Sequence, residues 1–176
     1  MVVKIPLGKP VAKVRYRGDY DWEALYKSIR SWIEDHGYDF SEEKYKHKEK
    51  ALGAEFEISF SGVYDINDYA EQWLRMFIKV WNYHEKEVVI KGKKKKIAHG
   101  RMMIEFNGEL WLDYQERWES TAVLRKMRDF YHRFIIKNEI ENIWGDRLYY
   151  EVLKLQSFVK RQLGMESESD VYEDMW

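Results

Sequence analysis

Carboxylates that could act in pairs are the first residues of this sequence with chemical potential. Glu55 and Glu57 lie in one alternating stretch, and Glu105 and Glu109 lie in another. Because a strand projects alternate side chains to the same side, each pair could serve as a general acid and base. A lysine or arginine is expected near each of them, so we predict ion pairing rather than catalysis.

The histidines and the known catalytic motifs add no second candidate. No two histidines have the spacing of a zinc-binding H-E-x-x-H helix, and the sequence lacks a nucleophile elbow, a phosphate-binding glycine loop and a dinucleotide fingerprint. Absence of cysteine excludes thiolate nucleophiles, disulfides and sulfur-ligated zinc. We therefore predict no enzymatic activity, no metal and no cofactor. The five histidines are His36, His47, His84, His99 and His132.

An aromatic stripe interleaved with cations is the most prominent binding candidate. Its members are Trp73, Phe77, Trp81 and Tyr83, with Arg75 and Lys79 between them and Trp111 expected beside Phe77. Aromatic rings among cations can stack on nucleic-acid bases. The expected cross-strand partners include carboxylates, however, with Lys79 opposite Glu55 on one side and Glu109 or Asn107 on the other. Nucleic acid is thus disfavoured, because its binding needs uncompensated positive charge.

A contiguous patch of large aromatics on a sheet face needs a cover of some kind. Soluble monomers seldom leave such a patch bare, and aromatic residues are enriched at the centres of protein interfaces. The stripe with Trp111 therefore predicts contact with a second copy of the chain or another protein. The alternative is that a C-terminal helix of the same chain covers it.

Two charged segments are further candidates for binding. The run 91–96 contains Lys91, Lys93, Lys94, Lys95 and Lys96 at an expected hairpin tip, where lysines can contact phosphates or anionic lipid headgroups. A solvated turn is the simpler interpretation. The segment 164–176 is acidic, without a basic residue, and is expected to be a flexible tail or to dock on a basic site.

Charge balance and composition narrow the functional classes. The 176 residues carry 30 Lys and Arg against 31 Asp and Glu, so no overall field attracts nucleic acid or membranes. A hydrophobic content of 45% suffices for one domain over 1–163. No signal-peptide core or membrane-spanning run occurs. We expect a cytoplasmic protein, and 35% charged residues is typical of proteins from hot environments.

The elements that position these residues follow from hydrophobic periodicity. Apolar residues of 55–64 and 101–114 alternate with polar ones, which predicts two strands, and 22–36 has helical spacing. Residues 11–17 are expected to form a first strand and 38–50 an edge strand. After Gln115 the period becomes helical. The predicted class is α+β, with an antiparallel sheet of about five strands (strand, helix, four-strand meander) and an additional C-terminal helix.

The stretch 68–84 is apolar on both faces and has two interpretations. As a helix it would present Trp73, Phe77 and Trp81 in one stripe. As a strand it would place Leu74, Met76, Ile78 and Val80 in the core. We favour the strand, because the long alternating run that follows needs a partner of similar length, and a hairpin supplies one.

The predicted order of elements resembles the topology of helix-grip folds over residues 11–137, in which a sheet wraps a long helix. That resemblance implies a cavity between helix and sheet and so a carrier of a hydrophobic small molecule. The residues expected to line it are Met76, Ile78, Met102, Ile104 and Phe106, with Tyr64 and Tyr114 as polar tips. The alternative is that they fill the core. Our leading expectation is a non-enzymatic domain that binds a second copy or a protein partner.

Overall fold

A six-stranded antiparallel sheet and three α-helices make up the described part of the chain. The computed structural model describes residues 2–8, 10–50, 53–90 and 93–165, without the side chains of Ile90 and Lys93. The strands are β1 Val3–Pro6, β2 Ala12–Tyr20, β3 Asp39–Lys48, β4 Ala54–Asp65, β5 Ala70–Ile90 and β6 Lys93–Leu112. The helices are α1 Trp22–Asp35, α2 Ala122–Phe130 and α3 Asp146–Gln162, with π-helical segments at Tyr131–Ile135 and Glu139–Gly145. The predicted α+β class is confirmed.

The sheet has the order β1, β6, β5, β4, β3, and β2 also pairs with β6. Val3 lies opposite Leu112 in the β1 pairing, whereas β2 continues along the same edge of β6 from Ala12 opposite Phe106 to Tyr20 opposite Ala98. The amino-terminal chain therefore follows β6 along most of its length. Strand β1 is the sixth strand, one more than the sequence pattern predicted.

The stretch 68–84 forms a strand, as predicted. It belongs to β5, which has 21 residues against the 20 of its neighbour β6. Leu74, Met76, Ile78 and Val80 are at most 1% exposed. Burial of each such side chain stabilises the folded state by roughly 1.5–3 kcal/mol. A helix over the same residues would leave β6 without this strand as its partner.

The strand register differs from the predicted one. Lys79 lies opposite Glu57 rather than Glu55 on one side, and opposite Met103 rather than Glu109 or Asn107 on the other. Ile90 pairs with Lys93, so the β5–β6 turn comes earlier than predicted, and residues 93–96 belong to β6 rather than to a loop. Ladder hydrogen bonds involve only the backbone, and lysine side chains can extend into solvent from a strand.

A β-bulge at Asn82 redirects the end of β5. Trp81 pairs with Arg101 but His84 pairs with His99, so β5 carries one extra residue, and Asn82 has φ of 53°. Asparagine tolerates this left-handed conformation better than most residues. The bulge turns Tyr83 towards the core, where its ring lies 5.1 Å from that of Phe56. The prediction that Tyr83 shares the outward stripe is therefore wrong.

The core lies between one face of the sheet and the helices α1 and α3. Asp21 caps the amino terminus of α1, and its carboxylate accepts a hydrogen bond from the Ala24 amide at 3.0 Å. Its residues Ile29 and Ile33 are fully buried, and so are Leu148 and Val152 of α3. The predicted cavity-lining residues lie in this core, each at most 2% exposed: Met76, Ile78, Met102, Ile104 and Phe106. Tyr64 and Tyr114 are half-buried.

Candidate functional site

The sheet face opposite α1 and α3 carries the predicted aromatic residues. Trp73, Phe77, Trp81 and Trp111, here called the aromatic sheet face, are all half-buried. The Trp73 and Trp111 rings stack with centroids 4.0 Å apart. Lys4 Nζ lies 3.6 Å from the Trp111 ring centre. The predicted neighbour of Trp111 is wrong: it pairs with Glu71, whereas Phe77 pairs with Glu105.

Ion pairs surround these rings. Lys79 Nζ lies 2.7 Å from Glu57, Lys13 Nζ lies 2.6 Å from Glu105 and Lys50 Nζ lies 2.7 Å from Glu55. Arg75 Nε lies 3.7 Å from Glu109. The Lys79 hydrogen bond lowers the pKa of Glu57, and Glu57 raises the pKa of Lys79 in return. Each glutamate considered for acid–base chemistry thus has a cationic neighbour.

The lysine run is also largely balanced by carboxylates. Lys95 Nζ lies 2.7 Å from Asp21, Lys96 Nζ lies 3.2 Å from Glu85 and Lys94 Nζ lies 3.9 Å from Glu87. Lys91 lies outside the described residues, as does the Lys93 side chain. Anion binding by this run remains a prediction, and three of its five lysines already have an acidic partner.

Helix α2 and the π-helical segment after it form a surface that the sequence pattern did not single out. Helix α2 has no buried residue, although it is amphipathic. Five apolar side chains of α2 and the π-helical segment are more than half exposed, from 51% at Met127 to 67% at Val123. They form the exposed stripe: Val123, Met127, Phe130, Phe134 and Ile135. Part of the stripe borders a groove of about 420 Å³, together with Trp118 and Tyr131.

A buried carboxylate fixes the loop that leads into α2. Asp113 is 1% exposed and has φ of 54°. Its carboxylate accepts hydrogen bonds from the amides of Arg117 at 2.9 Å and Trp118 at 3.3 Å. Trp118 in turn stacks on Tyr131 with centroids 5.7 Å apart. The Thr121 hydroxyl then caps α2 by accepting from the Leu124 amide at 3.2 Å. Hydrogen bonds and ring stacking thus fix the loop that leads into α2 and the exposed stripe.

Next to this loop, Tyr69 and His132 form a hydrogen bond between the phenol oxygen and Nε2. Burial lowers the pKa of His132, and the positive charge of Arg128 lowers it further. Burial also raises the pKa of Tyr69, as does the nearby charge of Asp113. The lowered pKa favours the neutral form of His132. The hydrogen bond makes this contact a structural link between the residue before β5 and the π-helical segment.

The lowered pKa of His132 predicts loss of stability in mild acid. The unfolded chain takes up a proton below the ordinary histidine value of 6.5, whereas the folded chain does so only at lower pH. The free energy of unfolding should therefore fall as pH drops from 6.5 towards the folded pKa. Urea unfolding of wild type and His132→Gln between pH 7.5 and 5 measures this. The variant should lose part of that slope, while the control His47→Gln, at an exposed position, should retain it.

Across the described residues, no group of three or more His, Asp or Glu side chains is placed to hold a metal ion. No helix in the described ranges is both long and apolar enough to cross a bilayer.

Comparison with known proteins does not assign a family. No protein-family model and no curated protein matches the chain. A solved structure of an uncharacterised protein from Rhizobium leguminosarum aligns with 92% of this chain and 97% of its own, at 9% identity and a TM-score of 0.20. A similarity this low supports no inference about function.

Proposed function

We propose that this protein is a non-enzymatic interaction domain that associates with a second copy of itself through the exposed stripe. The observation that carries the proposal is a helix with no buried residue whose apolar side chains lie in solvent. Helices this short are marginal in water unless an apolar face packs against something. Contiguous exposed apolar side chains are typical of interaction sites.

The charges beside the stripe indicate what kind of surface covers it. Arg125, Lys126 and Arg133 are exposed around the stripe. Symmetric pairing of two such helices would bring these cations together. A binding segment that carries carboxylates is therefore favoured. The stretch 166–176, which lies outside the described residues, combines carboxylates with apolar residues and contains no basic residue. Its five acidic residues accompany Val171, Tyr172, Met175 and Trp176. We take this stretch of a second copy as the occupant.

Chain geometry favours binding between copies over binding within one copy. Helix α3 separates Gly145 from the last described residues by 17 residues, which is about 26 Å of helix. An extended stretch of 11 residues reaches at most ~40 Å. Returning along α3 to the level of Gly145 within one chain would use roughly two thirds of that reach.

Light scattering on the full chain tests the association. We expect the mass to rise from 21.5 kDa towards twice that value with concentration. Phe130→Glu with Phe134→Glu should give a monomer, because each glutamate places a charge in the apolar contact. The control Tyr149→Glu with Tyr150→Glu alters two exposed aromatics of α3 and should leave the mass unchanged. A synthetic peptide of residues 166–176 should dissociate the dimer.

Three results would reject the proposal. A wild-type monomer at all concentrations would rule out self-association. The same result is expected if 166–176 binds its own chain, and that case also contradicts the proposal. A mass unchanged in the Phe130→Glu and Phe134→Glu variant removes the stripe as the contact. Stripe-dependent binding of a monomer to anionic vesicles would assign the stripe to lipid instead.

The aromatic sheet face is a second candidate interface, because α1 and α3 cover only the other face of the sheet. Trp81→Glu in the same light-scattering series discriminates the two surfaces, since it would reduce the mass only if this face mediates association. The carrier function and the helix-grip likeness stay predictions. Native mass spectrometry that finds a retained lipid would support them.

A further inference from the structure

Three arginines that the sequence pattern did not single out lie together on the open face of the sheet. Arg15 and Arg17 come from β2 and Arg101 from β6, and Arg17 lies directly opposite Arg101. All three side chains are exposed. They border a depression of about 480 Å³ together with Trp81 and Met103. We call Arg15, Arg17 and Arg101 the arginine cluster.

The arginine cluster differs from the rest of this face in its charge balance. Several other cations of this face have a carboxylate, as Lys13 has Glu105 at 2.6 Å and Lys79 has Glu57 at 2.7 Å. Within the described part of the chain, the three guanidinium groups form no ion pair, and no acidic residue lines the depression. Like charges directly opposite on paired strands repel. An anion bound between them would remove that repulsion.

The residue types indicate which anion fits. A guanidinium group offers parallel N–H donors that match phosphate oxygens, and exposed arginines can bind phosphate in this bidentate way. Trp81 lies across the strands from Arg101, whose guanidinium carbon is 6.0 Å from the Trp81 ring centre. Tryptophan rings stack on planar bases whatever their sequence. One site therefore combines phosphate donors with a stacking surface.

We infer that this site binds a nucleotide, with its phosphate on the arginine cluster and its base on Trp81. The nucleotide is either free or part of a single strand, and the chemistry recognised is the same. This inference is independent of the proposed self-association, because the exposed stripe and the arginine cluster share no residue. The site also differs from the surroundings of Arg75 and Lys79 on the same sheet face, where carboxylates neutralise the cations.

Binding measurements with three defined probes test the inference. Adenosine monophosphate, a ten-nucleotide deoxythymidine strand and inorganic phosphate are titrated into the full chain at low salt. Both nucleotide probes should bind, and phosphate alone should bind about tenfold more weakly because it lacks a base to stack. If the deoxythymidine strand binds more tightly than adenosine monophosphate and with a stronger salt dependence, single-stranded nucleic acid is the source of the ligand. Similar affinities for the two probes identify a free nucleotide. Absence of nucleotide binding, or equal binding of phosphate, overturns the inference.

Substitutions then locate the binding. Arg17→Gln and Arg101→Gln should each weaken nucleotide binding about tenfold, as expected for a lost charged hydrogen bond. Trp81→Ala should have a similar effect, and Trp81→Phe should retain most of the affinity. The control Arg147→Gln makes the same charge change on α3 and should leave affinity unchanged; an equal loss there would show non-specific attraction and reject the site. Arg17→Gln should melt no lower than wild type without ligand, since it relieves repulsion, so lost binding cannot be assigned to unfolding.

Discussion

Phe106→Ala is expected to lower the free energy of unfolding by about 3–5 kcal/mol. Phe106 lies in the middle of β6 and is fully buried, between Ala12 of β2 and Met76 of β5 in the sheet register. Truncation removes the ring from the core and leaves a cavity that rigid neighbouring strands cannot close. Urea denaturation monitored by circular dichroism measures the change.

Phe134→Ala is the matched control for this prediction. The same side chain is removed, but Phe134 is 64% exposed. We expect a change within about 0.5 kcal/mol at concentrations where the chain is monomeric. The variant should instead weaken the proposed self-association. Similar destabilisation by both substitutions would contradict the assignment of the exposed stripe to the surface.

Asp113→Ala is expected to lower the free energy of unfolding by roughly 2–4 kcal/mol. The carboxylate accepts two backbone hydrogen bonds while nearly fully buried, and each such bond to a charged group contributes ~1.5–3 kcal/mol. Alanine would also have to adopt φ of 54°, which costs about 1–2 kcal/mol for a residue without a local hydrogen bond. Part of this total is recovered when water reaches the freed amides.

The control for Asp113 is Asp68→Ala, which removes an exposed carboxylate 3.9 Å from Arg117. Exposed ion pairs contribute at most about 1 kcal/mol, so little change is expected. A second readout is the exposed stripe itself. Because Asp113 holds the loop that leads into α2, hydrogen exchange of the α2 amides should accelerate in Asp113→Ala and not in Asp68→Ala. Unchanged exchange would show that Thr121 alone fixes the helix.

Local patterns were sufficient to predict most of the sheet. Alternation at Leu74, Met76, Ile78 and Val80 places these residues in the core, because a period of two assigns faces without knowledge of the partners. The matching lengths of the two runs around residue 91 indicated the hairpin. Both inferences use interactions between neighbours in sequence, which is why they could be made from the sequence alone.

Features set by register and by distant contacts could not be predicted in the same way. Asn82 in the middle of an alternating run was the only local signal of the bulge that turns Tyr83 inward. The arginine cluster depends on the pairing of β2 with β6, and no short-range pattern gives that alignment. Apolar spacing in 123–135 predicts an amphipathic helix, but spacing cannot tell whether the chain itself covers that face.

The position of the amino-terminal strands has a consequence for how the protein folds. Val3 pairs with Leu112, and Ala12 with Phe106, so these contacts join residues about 100 positions apart in the chain. Contacts of such long range slow folding, whereas the β4–β5–β6 meander is built from hairpins between neighbours. During synthesis β1 and β2 emerge first but have no partner until β6 has been made. The first strands made are therefore expected to be the last to join the sheet.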